Sequence, residues 1–497
     1  MAGIGVRLNR IFRKQSIFAD LYGFIYSSVS TVAPMFLVIG VIILMQWALG
    51  YSKVGFARRE LFADTILYIF IFSLLAAAPF NAVLSRYLSD VIFNERWADI
   101  MPCYYVGLLM NIVLGCALSV PFAVREYVVG NVPLYYVCTS WCGFIALLLV
   151  FYSMLYLSIT KDYGKISLFF LIGMSAAFLI AWFVNRFLRW DLPYSILFAL
   201  TAGFLMIASL ETALIHSYFR ENSGEYRAVL HYFRMYWKLI FINFLYVLGM
   251  YIQNFVFWAT DEHMILIHCF VTHMSYDMAT CLAMFTNISA TVIFIARVEM
   301  HFHVRYRSFT EAVIGGRGAD IRITKDRMFR QLSTEIMSLA RLQFIITVVV
   351  FLFCEILLPR FGFGGETMQI YPLLCVGYFV MFLMYALILF LYYFNDLSGA
   401  LLLSGLFCLE TFFGSIIATR MEPIWYGLGL LIGSLTGWTI GYFRLRWLEK
   451  NLFAHIFCRG HLMKHRTEPM PSGLVFDRNS DAKKRSGAGK AGKGGSA

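Results

Sequence analysis

The chain has 497 residues, of which 60% are hydrophobic and only 14% are charged. Soluble domains carry about 25% charged residues, so this composition excludes an ordinary water-exposed fold and favours one that faces lipid. The net charge is +12. Because the Lys and Arg residues stand between apolar stretches, we interpret this charge as membrane topology and expect no nucleic-acid partner.

Twelve apolar segments are long enough to cross a bilayer, which takes about 20 residues. In chain order they are 19–49, 62–86, 103–123, 133–159, 166–188, 193–218, 237–258, 276–298, 340–358, 370–394, 397–419 and 423–445. The sequence therefore predicts an all-α integral membrane protein with twelve transmembrane helices.

The distribution of positive charge predicts the orientation of these helices. With the N-terminus placed in the cytoplasm, 33 of the 41 Lys and Arg residues fall on the cytoplasmic side of the membrane. Cytoplasmic loops carry an excess of Lys and Arg, so we expect both termini to be cytoplasmic and the protein to be multi-pass in the inner membrane.

The segments outside the predicted helices divide the chain. Residues 1–18 form a basic amphipathic segment, and residues 219–236 form a cytoplasmic linker between two sets of six helices, 19–218 and 237–447. The second set contains a cytoplasmic insert at 299–339, which predicts two interfacial helices joined by a glycine-rich turn. Residues 448–497 are a basic tail expected to be largely disordered. Two sets of six helices are typical of secondary transporters.

No enzyme signature is present, and no ATP-binding loop. The ten cysteines lack CxxC spacing, which indicates neither a disulfide framework nor a metal cluster. His263, His268 and His273 share the loop after the seventh helix, where a surface metal site is one interpretation and solvated side chains are the favoured one. We therefore predict no catalytic residues, no metal and no cofactor.

Polar residues at membrane depth are the candidates for the cargo path, since such groups are costly there unless they face a cavity or a partner. Arg86 and Asp90 are four residues apart, which fits either an ion pair or a gate at the cytoplasmic mouth. Asp396 is expected to cap the helix that follows it. The full set of cavity candidates is Asn81, Arg86, Asp90, Glu211, Tyr251, Gln253, Asn254, Trp258, Asp277 and Glu410.

The insert at 299–339 is a candidate surface for binding a cytoplasmic partner. Its basic and aromatic residues come directly after the eighth predicted helix. The docking candidates are Glu299, Arg305, Tyr306 and Arg307.

Several strings resemble the PelG family of Pel exopolysaccharide transporters, and they occur in order along almost the whole chain. They are Met1-Ala2-Gly3-Ile4-Gly5, Leu248-Gly249 to Phe255-Val256-Phe257-Trp258, Tyr276-Asp277-Met278-Ala279, Tyr306-Arg307-Ser308-Phe309 and Tyr392-Tyr393-Phe394-Asn395-Asp396. One departure stands out. An Asp-Lys pair commonly precedes the Phe-x-Phe-Trp string in the family, whereas this chain has Gln253 and Asn254.

This resemblance implies a member of the multidrug/oligosaccharidyl-lipid/polysaccharide flippase superfamily, with a MATE/flippase-like fold of two six-helix lobes. It implies transport of a growing N-acetylhexosamine polymer for a biofilm exopolysaccharide. It also implies a cytoplasmic glycosyltransferase partner (PelF-like) and membrane partners (PelD/PelE-like).

Two other functions remain open at this stage. One is a lipid-linked oligosaccharide flippase or a cation-coupled drug exporter of the same superfamily. The other is a membrane scaffold that anchors a polysaccharide synthase without transporting anything. Neither polymer identity nor a coupling ion follows from the residues.

Overall fold

The computed structural model describes residues 17–160, 163–260, 264–266, 269–297, 301–361 and 365–457. These residues are predominantly helical, and the principal elements are named here in chain order. They are α1 (Ile17–Ala48), α2 (Phe56–Phe93), α3 (Ile100–Val128), α4 (Leu134–Thr160), α5 (Tyr163–Phe183), α6 (Leu192–Tyr218), α7 (Tyr226–Met235), α8 (Trp237–Trp258), β1 (Met264–Leu266), β2 (Phe270–Thr272), α9 (Met274–Arg297), α10 (His303–Gly315), α11 (Gly318–Leu357), α12 (Glu366–Tyr393), α13 (Leu397–Ala418) and α14 (Leu428–Phe457).

A helix occupies each of the twelve segments in which the sequence predicts one. Within the described ranges, nine helices are long and apolar enough to cross a membrane. Many carry large apolar side chains on their exposed faces, such as Trp182 on α5 and Phe353 on α11. Apolar surface of this kind is stable against lipid and not against water, so the chain is a multi-pass membrane protein.

The insert at 299–339 differs from the sequence-based prediction in its second half. A helix is present where the first of the two was predicted, α10, and its position at the membrane interface stays a prediction. The second is not separate: α11 runs without a break for 40 residues, from the polar stretch after Gly318 to Leu357. No proline or glycine follows Gly318 within this helix. Nothing in the backbone therefore stops the helix where its composition changes from polar to apolar.

Two short strands were not predicted. β1 and β2 pair antiparallel, with Ile265 opposite Val271, and form a hairpin directly after α8. The hairpin lies beside the first half of α2. We call this side of the molecule the hairpin end, and the opposite side, where α7 lies against α2 and α3, the α7 end.

The helices before and after α7 pack in corresponding pairs. In the first half the pairs are α1–α5, α2–α3, α2–α4 and α3–α4; in the second half they are α8–α13, α9–α11, α9–α12 and α11–α12. The contacts between the halves also correspond, since α2 packs on α8 and α1 packs on α9. If α1 is matched with α8 and α2 with α9, the α2–α8 contact corresponds to the α9–α1 contact.

Small residues allow close helix packing in the second half. A Cβ atom added to Gly249 of α8 would lie 2.6 Å from the Phe407 ring of α13, and one added to Gly414 would lie 2.8 Å from the Gly429 Cα of α14. Close approach of backbones is the usual way in which membrane helices gain packing energy. Any larger residue at either position would push the helices apart.

By internal contacts the chain divides into two compact units, Met1–Phe443 and Arg444–Ala497. The described part of the second unit is the end of α14. There Arg446 Nη1 lies 2.8 Å from Glu449 Oε2, one helical turn away. All sites discussed below lie in the first unit.

Candidate functional site

The two halves of the first unit meet along α2 and α8. At the hairpin end the rings of Tyr68 and Trp258 stack nearly parallel, with centroids 5.0 Å apart. Nearer the α7 end the side-chain amide of Asn243 donates to the carbonyl of Ala78. This contact joins two helices that belong to different halves, so any relative motion of the halves has to change it.

Asp277 is the centre of a buried polar cluster at the hairpin end. Its Oδ1 accepts from Asn254 Nδ2 at 2.7 Å, and both its oxygens lie about 3 Å from the indole Nε1 of Trp258. Its Oδ2 also accepts from the backbone N–H of His273 at 3.1 Å. Three neutral donors thus surround a carboxylate that is 8% exposed.

A second buried carboxylate, Asp64 of α2, comes from the other half and lies within electrostatic range of Asp277. Asp64 is 5% exposed and lies beside Thr272 of the hairpin. Its Oδ2 has no hydrogen-bond partner in the described part of the chain. The two carboxylates carry like charges and repel each other when both are ionised, and a buried charge without a hydrogen-bond partner is costly. We call Asp64, Tyr68, Trp258 and Asp277 the hairpin cluster.

The hairpin is held by residues of the first half. The hydroxyl of Tyr68 donates to the Val271 carbonyl at 2.9 Å and accepts from the Val271 N–H at 3.1 Å. The Tyr68 ring also meets the edge of Phe270, with centroids 5.1 Å apart. Tyr68 of α2 therefore binds the hairpin, which belongs to the second half. The two halves are in contact at this end as a result.

Gln253 lies inside the second half, where it is fully hydrogen-bonded. Its Nε2 donates to the Tyr378 hydroxyl of α12 at 3.2 Å, and its Oε1 accepts from the Tyr276 hydroxyl of α9 at 2.9 Å. All three side chains are 0% exposed. In this conformation Gln253 holds α8, α9 and α12 together and does not face a cargo path.

A second amide network joins α9, α11 and α12. Asn287 Nδ2 donates to the Tyr378 carbonyl at 2.9 Å, and its Oδ1 accepts from Gln343 Nε2 of α11 at 2.8 Å. Gln343 also reaches the Thr347 hydroxyl at 3.1 Å. Buried amides that are linked in this way fix one packing arrangement of the helices.

The α7 end has a different cluster, formed by Arg86, Asp90, Tyr232 and Tyr236. Arg86 Nε lies 3.9 Å from Asp90 Oδ2, so the predicted ion pair is present. The Arg86 guanidinium also lies over the Tyr236 ring at 5.5 Å, and Tyr232 donates its hydroxyl proton to Asp90. Burial, followed by this hydrogen bond, raises the pKa of Tyr232. We call this group the α7 cluster.

The predicted docking residues divide into two groups. Arg305 and Arg307 are exposed, and Arg307 Nε lies 2.8 Å from Glu311 Oε1. Tyr306 instead packs inwards, and its hydroxyl donates to the Tyr393 carbonyl of α12 at 3.1 Å. Burial, followed by the Arg307 guanidinium, lowers the pKa of His303, so the positive charge of this surface comes from arginine. Glu299 lies outside the described residues.

The other cavity candidates are scattered. Glu211 of α6 is 0% exposed, and both its carboxylate oxygens lack a hydrogen-bond partner in the described ranges. Glu410 of α13 accepts from the Thr436 hydroxyl of α14. Asn81 of α2 is half-buried and Tyr251 of α8 is buried. None of these four joins either cluster.

The structure thus brings Asn254, Trp258 and Asp277 together, and Arg86 with Asp90. Sequence reasoning missed Asp64 and Tyr68, which lie within a mostly apolar helix and carry no spacing that points to Asp277. It also missed the tyrosines of α7, because that segment was interpreted as a linker. The period-3.6 apolar pattern of Val229 and Phe233 would have indicated a short amphipathic helix there.

Two smaller predictions have clear outcomes. Asp396 does cap α13, since its Oδ1 accepts from the Gly399 N–H at 3.2 Å. The preference for solvated loop histidines is wrong for His273, which is 4% exposed and accepts from the Tyr276 N–H through Nδ1 at 3.3 Å. His273 caps the start of α9 under the Phe257 ring. His263 and His268 lie outside the described residues.

Comparisons with known proteins agree on fold and family. A family model described as "PelG: Putative exopolysaccharide Exporter (EPS-E)" matches residues 1–457. Among solved structures, an inward-facing multidrug resistance MATE family transporter of the MOP superfamily superposes with a TM-score of 0.59 at 12% identity. That match covers 85% of this chain and 99% of the other.

An outward-facing MATE family transporter gives a TM-score of 0.58 at 14% identity, over 85% of this chain and 96% of the other. A MATE protein in the straight conformation gives 0.56 at 13% identity, over the same shares of the two chains. The comparison with curated proteins finds no match. At these identities the structural likeness shows the fold alone, whereas the family model spans nearly the whole chain. The chain therefore belongs to the PelG exopolysaccharide exporter family and has the fold of MATE transporters of the MOP superfamily.

Proposed function

We propose that this protein moves a growing Pel-type N-acetylhexosamine polymer across the inner membrane. In this proposal both termini, α7 and α10 are cytoplasmic, and the hairpin end faces outwards. The charge distribution supports this orientation, because the loops at the α7 end carry most of the Lys and Arg residues.

The proposed architecture is twelve transmembrane helices in two six-helix lobes, α1–α6 and α8–α14 without α10. The matching helix pairs in the two halves support it, as does the exchange symmetry of the α2–α8 and α1–α9 contacts. Parallel repeats of this kind place the cargo path between the lobes.

The observation that carries the proposal is the pair of buried carboxylates at the hairpin end, one from each half. Asp64 and Asp277 repel each other when both are ionised, and neither has a Lys or Arg partner in the described part of the chain. A proton or a monovalent cation that neutralises either carboxylate would weaken this repulsion and favour closure, and its loss would favour separation of the halves. Since the chain has no ATP-binding motif, such a cation suits a transporter driven by a gradient.

Export by cells that lack their own PelG-family protein tests this mechanism. Asp64→Asn and Asp277→Asn, which keep the side-chain shape and remove the charge, should each abolish polymer export at normal protein levels. Glu422→Gln, at an exposed position outside the hairpin cluster and the 299–339 insert, is the control and should export normally. Full export by both cluster variants would contradict the proposed role of the pair.

The proposed partner of the α10 surface is a cytoplasmic glycosyltransferase (PelF-like), with PelD/PelE-like membrane proteins completing the complex. A double variant, Arg305→Glu with Arg307→Glu, should lower co-purification of the glycosyltransferase without affecting folding. Arg420→Glu, exposed near the hairpin end, is the control. A complex that survives the double variant would remove this surface from the docking site.

A lipid-linked oligosaccharide flippase or a cation-coupled drug exporter is the alternative function, favoured by the likeness to MATE transporters. Proton-dependent efflux of small cationic drugs that is lost in Glu211→Gln or Glu410→Gln would support the exporter. A non-transporting scaffold is the second alternative. It predicts that bulky residues placed between the halves leave polymer export intact.

A further inference from the structure

A cavity of about 220 Å³ lies at the hairpin end among α2, α3, α4 and β2; it shares Tyr68 with the hairpin cluster, but neither Asp64 nor Asp277 lines it. Its walls are mainly aromatic, with rings from Tyr68, Phe72, Phe122, Trp141, Phe144 and Phe270. Leu118 of α3 lines the cavity and is 50% exposed on the apolar outer face of that helix. The cavity can therefore be reached from the lipid side.

One carboxylate lies in this aromatic wall. Glu126 of α3 is only 2% exposed, and its Oε1 is buried without a hydrogen-bond partner in the described residues. No ion pair with Lys or Arg is present for it in the same ranges. A buried acceptor of this kind is costly unless a ligand satisfies it. Glu126 is also near the last turn of α3, which places it at the depth of lipid headgroups.

The hydroxyl groups around the cavity are already engaged with the protein. Each donates a hydrogen bond to a backbone carbonyl: Thr65 to Leu61 at 2.6 Å, Tyr68 to Val271 at 2.9 Å, Ser119 to Gly115 at 2.7 Å and Ser140 to Val137 at 2.9 Å. Ser119 also accepts from Trp141 Nε1 at 2.9 Å. A sugar ring needs donors as well as acceptors for its hydroxyl groups, and the hydroxyl protons around this cavity are already bound to carbonyls. A divalent metal would find a single carboxylate among the residues that line it. Neither fits this site.

We propose that the cavity binds an organic ammonium group carried on an apolar body. The ammonium pairs with Glu126, the aromatic faces solvate its alkyl or aryl substituents, and the apolar part extends past Leu118 into the lipid. Aromatic walls with one carboxylate are the surroundings that such cations prefer. An aminophospholipid and a diffusible amphiphilic amine share this chemistry, and the experiment separates them.

The test uses the full-length protein in nanodiscs of phosphatidylglycerol, with radiolabelled benzyltrimethylammonium as the probe at pH 8.5. Saturable binding is expected, and neopentylbenzene, the neutral ligand of the same shape, should not displace the probe. Glu126→Gln should weaken binding about tenfold or more, and Trp141→Leu should weaken it several-fold. Glu126→Asp should retain part of the affinity, and Glu422→Gln, at an exposed position, should retain all of it.

Nanodiscs that contain phosphatidylethanolamine identify the natural source. Competition by this lipid, seen as weaker probe binding, assigns the site to a lipid amine, and unchanged binding assigns it to a diffusible ammonium. Thermal unfolding of each variant establishes that it is folded. Absence of saturable binding, equal displacement by neopentylbenzene, or wild-type affinity in folded Glu126→Gln would overturn the proposal.

Discussion

The hairpin end and the α7 end both place a carboxylate between helices, but they satisfy it in opposite ways. Asp277 is buried, and its donors within the described residues are neutral, among them the indole of Trp258. Asp90 is about one-third exposed and has a cation, Arg86, together with the hydroxyl of Tyr232. Removal of a buried acceptor leaves its donors unsatisfied, whereas water replaces the partners of an exposed one.

This difference indicates that the two ends have different mechanical roles. The hairpin end is a closed and specific contact whose energy depends on burial. The α7 end is a weak, salt-sensitive contact that can rearrange at little cost. The predictions below test this comparison, and they run from the largest expected effect to the smallest.

Asp277→Ala should have the largest effect on stability. It leaves the donors of Asn254, Trp258 and the His273 backbone buried without an acceptor, at about 1–3 kcal/mol each before relaxation. We expect the free energy of unfolding to fall by about 3 kcal/mol or more. Thermal unfolding of the purified protein measures this. Asp326→Ala is the control, and an equal loss in both variants would contradict the account.

Tyr68→Phe should release the hairpin while leaving the ring stack on Trp258 in place. The variant removes the hydroxyl that binds both backbone groups of Val271. The free energy needed to open the hairpin should therefore fall by about 1–3 kcal/mol. Hydrogen exchange over residues 264–272 should speed up by at least about tenfold. Tyr127→Phe, exposed on α3, should leave the exchange unchanged. Unchanged exchange in Tyr68→Phe would mean that other contacts hold the hairpin.

The same two regions show what a sequence can predict here. Helix positions follow from apolar length, because the bilayer requires it, and Arg86 with Asp90 follows from helical spacing. The meeting of Asp64 with Asp277 depends on how two distant helices pack, which no local pattern specifies. The hairpin was missed because strands of three residues carry too short a pattern, and the length of α11 was missed because the helix continues through a change in composition.

Asp90→Asn should have a small effect. An Asn side chain still accepts a hydrogen bond from the Tyr232 hydroxyl, and an ion pair whose partners are each about one-third exposed contributes less than about 1 kcal/mol. Thermal unfolding at low and high salt should show a shift that shrinks as salt is added. A loss as large as that of Asp277→Ala would remove the contrast between the two ends.

Arg307→Ala should change stability least. Its ion pair with Glu311 is fully on the surface of α10, where such pairs contribute about 0.3–0.5 kcal/mol. We expect wild-type unfolding together with weaker glycosyltransferase binding. Lys325→Ala on α11 tests whether any loss of positive charge has the same result. Unfolding of Arg307→Ala well below the wild-type temperature would show that this residue is structural.

The most direct test of the account is the distance across the hairpin end during transport. Spin labels at Val128→Cys on α3 and Ile265→Cys on β1, both exposed positions, report on the two halves after the exposed native cysteines are replaced by Ser. Pulsed electron spin resonance should give one short distance in the resting protein and a second, longer one during polymer export or in Tyr68→Phe. A single unchanged distance in all three conditions would contradict the claim that this contact opens.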